Sequence, residues 1–254
     1  MMNPFTVLLT VFVFTLGGGL AGIWLRTRLP KHHLDADSRD TVKLGVGLIA
    51  TIAALVLGLI TASAKSNFDR FDTAVRYSAI DVLTLDRLLA RYGPEAAEIR
   101  GELQQTVASR VEMIWPQSTS SSAQLDPLAA GVRAEALVDK IRSLSPRDDS
   151  QRALQSRALD LVEEILKTRW LASAGERSSI PVLFFVIVLF WLTVIFASFG
   201  LLAPRNGTVV AVFAVCALSV ASILFLIVEL DTPFDGLLRV SPDPMHYAVS
   251  RLNT

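Results

Sequence analysis

Apolar residues are concentrated in four uncharged runs along the chain. The runs cover residues 5–25, 44–64, 180–203 and 208–228. A helix that crosses the hydrocarbon core of a bilayer needs about 20 apolar residues at 1.5 Å per residue. Within hydrocarbon each segment must satisfy its own backbone hydrogen bonds, which a helix does. The pattern therefore predicts four transmembrane helices.

The segment between the second and third runs has a different composition. Residues 65–179 carry 16 basic and 17 acidic side chains, so we expect this segment to lie in water. Neither glycine nor proline occurs between Gly58 and Gly93, which predicts that the second span continues as one helix to Tyr92. The extension carries a heptad seam formed by Phe68, Phe71, Val75, Ser78, Val82, Leu85 and Leu89.

Helix-breaking pairs divide the rest of this segment into three further predicted helices. The breaks fall at Gly93-Pro94, Trp115-Pro116, Asp126-Pro127 and Ser145-Pro146. Apolar residues at helical spacing follow all of these breaks except Trp115-Pro116: Ile99, Leu103, Val107, Val111 and Ile114; Leu137, Ile141 and Leu144; and Leu154, Ala158, Leu161, Ile165 and Ala172. The predicted fold is an all-α integral membrane protein, with an extramembrane helical bundle inserted between spans two and three.

This organisation divides the chain into four segments. Spans one and two occupy residues 1–64, and the bundle occupies residues 65–179. Spans three and four occupy residues 180–230, and a C-terminal tail covers residues 231–254.

Composition excludes several classes of function. The 254 residues are 52% hydrophobic, and the 24 basic and 24 acidic side chains cancel, so bulk charge does not indicate a nucleic-acid partner. One cysteine excludes an internal disulfide framework, and with three histidines it leaves few ligands for zinc. The sequence contains no nucleophile elbow, phosphate-binding loop or zinc-protease motif. We therefore predict neither an enzyme nor a bound cofactor.

Small residues form a continuous face on the second span. Gly47, Thr51, Ala54, Gly58 and Thr61 share one side of that helix. Small side chains let membrane helices approach closely, so the face is expected to pack on another helix or to line a pore. Shorter small-residue patterns occur in span one and span four, at Gly18 and Gly22, and at Ala214, Ala217 and Ala221.

Charged residues gather where the second and fourth spans end. Asp69 and Asp72 follow span two, while Glu229 and Asp231 end span four. Ionisable groups beside hydrocarbon are costly, so they usually pair or serve a pathway. These carboxylates suit a divalent cation site or a ring that attracts cations. The alternative is neutralisation by nearby basic residues, namely Lys65, Arg70, Arg76 and Arg177.

Positive charge also marks the opposite ends of the spans. Arg205 lies in the turn between spans three and four, where it is expected to anchor the turn or to attract anions. The loop after span one carries five basic residues, Arg26, Arg28, Lys31, Arg39 and Lys43. Short basic loops tend to stay in the cytoplasm, which predicts a bundle and both termini on the outer side.

Several strings resemble the bestrophin-like family of mostly bacterial membrane proteins. They run from span two to the tail: Phe68-Asp69, Leu85-Asp86-Arg87-Leu88-Leu89, Tyr92-Gly93-Pro94-Glu95, Ser198-Phe199-Gly200-Leu201, Pro204-Arg205-Asn206, Cys216-Ala217-Leu218-Ser219-Val220 and Glu229-Leu230-Asp231-Thr232-Pro233-Phe234 followed by Gly236. The resemblance implies four spans with a helical insertion and a distant analogy to bestrophins, which are pentameric anion channels. It also implies a cytosolic bundle, which disagrees with the orientation that the loop charges predict. In relatives an acidic residue is expected at the position where this chain has Ser78.

The sequence as a whole favours a homo-oligomer in a bacterial inner membrane that forms or gates a pathway for small ions. Its partners are then the lipid bilayer, further copies of the chain and the ions. Span two and its extension are expected to line the path, with the charged residues at its mouths. The alternative hypothesis is a non-conducting binding or sensing module that the spans tether to the membrane.

Overall fold

The computed structural model describes residues 3–30, 35–116, 127–174, 182–234 and 236–252, and side chains within these ranges except 127–134 and 167–174. These residues form eight α-helices and no strand. The helices are α1 (Pro4–Arg28), α2 (Ala36–Tyr92), α3 (Ala97–Ile114), α4 (Pro127–Ser143), α5 (Asp149–Ala174), α6 (Val182–Leu202), α7 (Gly207–Leu230) and α8 (Asp243–Arg251). Among the sequence-predicted charges, Arg177 and Lys31 lie outside the described residues.

Four of these helices are long and apolar enough to cross a membrane, namely α1, α2, α6 and α7. This confirms the four predicted spans. It also confirms that the second span continues without a break, because α2 contains 57 residues and ends at Tyr92. The break itself is built by Gly93, whose φ of +132° favours glycine, and by Pro94, which begins a short 3-10 turn.

The chain divides into two compact units. The first contains residues 1–68 and 178–238, and the second contains residues 69–177 and 239–254. The last sixteen residues therefore belong with the middle of the chain, where α8 contacts α3.

Helix α1 is the centre of the first unit, where it packs on α6 and α7. Its crossing with α6 depends on small residues: a methyl group added at Gly22 would overlap the backbone of Ala197, and one added at Gly200 would overlap Gly19. The match of Gly18 to Thr193 and of Gly22 to Ala197 shows that α1 and α6 run in the same direction. Close backbone approach is the usual way for membrane helices to gain packing energy, so this part of the small-residue prediction is confirmed.

The second unit has a hydrophobic core of its own. Its members come from the extension of α2, from α3, α4 and α5, and from Leu252 after α8. They include Val82, Leu85, Leu89, Ile99, Leu103, Val107, Val111, Leu137, Ile141, Ala158, Val162 and Leu252. The predicted seams supply most of this core. Trp115 joins the C-terminal residues to it, because its Nε1 donates a hydrogen bond to the carbonyl of Val240 at 3.2 Å.

One charged pair lies inside the second unit. Asp86, which reads as a surface charge in the sequence, is only 1% exposed. Arg100 on α3 donates to both of its carboxylate oxygens, from Nε at 2.7 Å and from Nη2 at 3.0 Å. The hydrogen bond from this pair raises the pKa of Arg100 above its usual value. The sequence pattern around Asp86 does not reveal this environment, because the pairing joins residues on two different helices.

We expect Asp86→Ala to destabilise the protein by about 3 kcal/mol, because it leaves the half-buried guanidinium of Arg100 without its partner. The measurement is thermal unfolding of the full chain in detergent. Asp139→Ala is the matched control, since Asp139 is exposed and pairs with Arg142 at 3.4 Å across one helical turn. Equal melting temperatures for the two variants would contradict the structural role of the Asp86 pair.

We expect Asp81 to make the stability of this unit depend on pH. Partial burial raises its pKa above 3.8, and the negative charge of Glu164 adds to the effect. The folded state therefore holds this proton more tightly than the unfolded state, so stability falls as pH rises from 3.8 through the folded-state pKa. We expect Asp81→Asn to melt above the native protein at about pH 7 and level with it near the lower end of that window. The control is Asp160→Asn, at an exposed position, whose melting temperature should not approach that of the native protein as the pH falls. If it does, Asp81 is not the cause of the pH dependence.

Candidate ion pathway

The small-residue face of α2 is exposed in the isolated chain. Gly47, Thr51, Ala54 and Gly58 are exposed, and Thr61 is half-buried. A methyl group added at Gly47 or Gly58 would meet no other atom within 4 Å. Among the described residues, then, no helix of the same chain packs on this face.

A different face of α2 holds the helix against the first unit. Val46 and Ala53 are buried there beside Ile195 of α6, and Ala64 is buried in the cluster formed by α1, α6 and α7. At about 100° per residue, the small-residue face lies roughly a third of a turn away from this buried face. A third face carries exposed leucines, namely Leu44, Leu48, Leu55 and Leu59. Helix α2 thus presents three distinct surfaces, of which the described part of the chain covers one.

The two threonines give the small-residue face its polar character. The hydroxyl of Thr51 donates to the carbonyl of Gly47 at 2.9 Å, and that of Thr61 donates to the carbonyl of Leu57 at 2.7 Å. These bonds satisfy the hydroxyl protons within the helix, and the oxygen lone pairs remain as acceptors. No member of the face is charged.

The predicted mouth charges on α2 are partly neutralised along the helix itself. Nε of Arg76 donates to Asp72 at 2.9 Å, one turn away, and this hydrogen bond raises the pKa of Arg76. Lys65 lies over the ring of Phe68, with Nζ 5.8 Å from the ring centroid. Lys65 and Asp69 each take part in a further interaction.

Glu229 has a structural environment that the sequence does not reveal. It is 1% exposed in the last turn of α7, and its Oε2 accepts hydrogen bonds from the backbone N–H groups of Leu237 at 2.6 Å and Leu238 at 3.1 Å. Gly236 adopts a φ of +89° so that the chain can turn back, and a side chain there would collide with the carboxylate. The carboxylate therefore holds the loop that follows α7. Asp231, one residue beyond the helix, is half-buried and also has a partner.

The described residues contain no group of three or more histidine, cysteine, aspartate or glutamate side chains placed to hold a metal ion. The carboxylates considered from the sequence, Asp69, Asp72, Glu229 and Asp231, are therefore not assembled into a ligand set in this part of the chain. Arg205 is exposed in the turn between α6 and α7, next to Asn206, whose side chain caps α7 by accepting from Val209 N at 2.8 Å.

Sequence comparison assigns the family. The profile of the bestrophin-like domain matches residues 13–245, which is most of the chain. The chain belongs to the bestrophin-like family. With its four apolar helices, this bestrophin-like chain is a multi-pass membrane protein with the helical fold typical of that family. Comparison with curated proteins finds no match.

Solved structures of bacterial bestrophin homologs share the fold. A single-residue variant of the homolog from Klebsiella pneumoniae superposes with a TM-score of 0.68 at 16% identity, covering 99% of this chain and 97% of the other. Another structure of the Klebsiella pneumoniae homolog gives a TM-score of 0.66 at 16% identity, covering 98% and 96%. At this level of identity the likeness concerns the backbone arrangement of the bestrophin-like chain. The chemistry of its pathway has to be argued from its own residues.

Proposed function

We propose that several copies of this chain assemble in the bacterial inner membrane and that their α2 helices together line a pathway for small ions. The observation that carries the proposal is the face of Gly47, Thr51, Ala54, Gly58 and Thr61, of which all but Thr61 are exposed, on a helix whose buried face packs within the first unit. Membership of the bestrophin-like family supports a membrane ion pathway at the level of the family.

The distribution of contacts supports an assembly of several copies. In the apolar part of α2 only 11% of the residues are buried, against 39% in α1. A threonine-bearing face is a poor surface to turn toward lipid, since its carbonyl and hydroxyl oxygens gain nothing from hydrocarbon. In a ring of copies the small-residue face turns toward the shared axis. The leucine face then meets the neighbouring copy.

The small-residue face carries no charge, so the charged residues at the two ends of this pathway have to select among ions. At one end the candidates are Asp69, Asp72, Glu229 and Asp231, and at the other end the candidate is Arg205. Of the acidic group, Asp72 is paired with Arg76 and Glu229 holds its own loop, which lowers the charge that they offer to a passing ion. Along the face, the threonine oxygens coordinate a cation directly, whereas an anion must first draw the hydroxyl proton away from the helix carbonyl.

The experiment is ion flux into proteoliposomes that contain the purified protein, together with its oligomeric mass in native detergent. We expect flux well above that of protein-free vesicles and a mass of several chains. An absence of flux at every pH and divalent-ion condition would remove the proposal.

A non-conducting role is the second candidate, since the second unit has a hydrophobic core of its own. In that case residues 69–177 and 239–254 form a binding or sensing module that α1, α2, α6 and α7 tether to the membrane. A monomeric mass in detergent, with no flux, would favour this role over the first.

A further inference from the structure

Four helix ends meet at one side of the first unit. Because α1 and α6 run in the same direction, their C-termini lie together, and the short connections that follow start α2 and α7 there. We call this side the basic end. Its described charged residues are five basic ones, Arg26, Arg28, Arg39, Lys43 and Arg205, and three acidic ones, Asp35, Asp37 and Asp40.

Arg39 is the unusual member of this group. It is half-buried in the first turn of α2, and its Nε is fully buried without a hydrogen-bond partner among the described residues. A buried N–H without an acceptor costs about 1–3 kcal/mol, and more when the group is charged, so such a group calls for a ligand. Sequence reasoning treated Arg39 as one of several loop charges. Its helical register with Val46 and Ala53, which face α6, is the signal that sets it apart.

Helix lengths place Arg39 and the end of α6 at the same end of the first unit. Val46 belongs to the same buried cluster as Ile195 of α6. Since α2 runs against α6, seven residues back to Arg39 and eight residues on to Ala203 both cover about 10–12 Å toward the basic end. Arg26 donates from Nη1 to the carbonyl of Ala203, and Arg205 follows two residues later. Arg26, Arg39 and Arg205 therefore all lie at this end of the first unit.

Two of the three described acidic residues of this end bond to groups other than Arg39, and the third faces away from it. The side chain of Asp35 accepts a hydrogen bond from Ser38 N at 2.9 Å, which caps α2. Asp40 pairs with Lys43 at 2.8 Å, and Asp37 falls on the opposite face of the helix from Arg39. The described charged residues of the basic end thus leave an excess of positive charge at the boundary of an apolar unit.

We propose that the basic end binds the phosphate group of an anionic phospholipid, with Arg39 and Arg205 donating to its oxygens. Planar guanidinium groups donate two parallel hydrogen bonds to phosphate, and basic pockets between membrane helices suit lipid headgroups. A lipid is favoured over a free anion because Trp24 is exposed one turn before Arg28, whose guanidinium lies 5.1 Å from its ring centroid. Exposed tryptophan beside arginine is typical of the level at which headgroups meet acyl chains.

Lipid binding to the purified full-length protein tests this site, by native mass spectrometry and by the rise in melting temperature on adding lipid. The probes are phosphatidylglycerol, phosphatidylcholine and inorganic phosphate. We expect phosphatidylglycerol to bind and to raise the melting temperature, and phosphatidylcholine to do neither. Arg39→Gln and Arg205→Gln should each weaken phosphatidylglycerol binding about tenfold, the effect of losing roughly 1.4 kcal/mol.

The control is Arg87→Gln, which removes the same charge from an exposed position in the second unit and should leave lipid binding unchanged. Because Arg205 is exposed, Arg205→Gln should fold, and it tests the site even if Arg39→Gln does not fold. Undiminished binding in Arg205→Gln, or equal binding of phosphatidylcholine, would overturn the site. Displacement of the lipid by an equal concentration of inorganic phosphate would overturn the lipid as its occupant. None of these readouts depends on whether the protein conducts ions.

Discussion

Replacing Gly22 by valine is expected to abolish the folded first unit. The added Cβ lies against the backbone of Ala197 and Leu201, where no side chain can rotate away. Helices α1 and α6 must then separate along their whole crossing, which removes the contact that holds α1 at the centre of the unit. We expect no monodisperse protein after extraction into detergent, measured by size-exclusion chromatography.

Gly17→Val is the matched control for this prediction. Gly17 lies on the same helix, and a methyl group there meets nothing within 4 Å. The two substitutions change hydrophobicity and helix propensity equally, so only the packing differs. A well-folded Gly22→Val protein would show that the close crossing of α1 and α6 is not needed for the fold.

Bulky side chains on the small-residue face of α2 are expected to close the pathway. Gly47→Leu and Gly58→Leu place apolar side chains where we propose that ions pass, and a hydrophobic constriction excludes water and ions. We expect flux in proteoliposomes to fall by roughly tenfold or more for each variant. Folding should survive, because a Cβ added at either glycine would meet no other described part of the chain within 4 Å.

Gly45→Leu provides the control for flux. Gly45 also has open space around it, but it falls near the far side of α2 from the small-residue face. Its variant should conduct like the native protein. Loss of flux in Gly45→Leu, or normal flux in Gly58→Leu, would place the pathway elsewhere.

The sequence could predict the elements whose causes are local. Uncharged runs long enough to span a bilayer give α1, α2, α6 and α7, and Gly93-Pro94 ends α2 because neither residue continues a helix. The heptad seam of α2 predicts the burial of Val82, Leu85 and Leu89, since apolar spacing alone determines which face packs.

Features that join distant residues could not be predicted in this way. Glu229 reads as a charge at a membrane boundary, but its environment is set by the backbone N–H groups of Leu237 and Leu238, which only a particular loop shape delivers. Asp86 is likewise identical in sequence pattern to an exposed aspartate until Arg100 on the next helix is placed beside it. Residues 239–254 read as a tail because α8 is short, and its contact with α3 depends on the return of the chain.

The small-residue face illustrates the remaining gap between sequence and function. Its pattern suits helix packing and pore lining equally. The structure excludes only packing against another helix within the described part of one chain. The assembly determines which surface covers Gly47 and Gly58. Composition, helix register and the fold of a single chain identify only α2 as the helix whose face the assembly has to cover.

The most direct test of the pathway is block of ion flux by a charged thiol reagent. The native Cys216 is first replaced by alanine, which leaves a background without cysteine. Cysteines are then introduced singly as Gly58→Cys on the small-residue face and as Gly45→Cys on the opposite side. We predict that a water-soluble methanethiosulfonate reagent rapidly blocks flux through the Gly58→Cys protein and leaves the Gly45→Cys protein unaffected. Flux that persists in Gly58→Cys after complete modification would contradict the account.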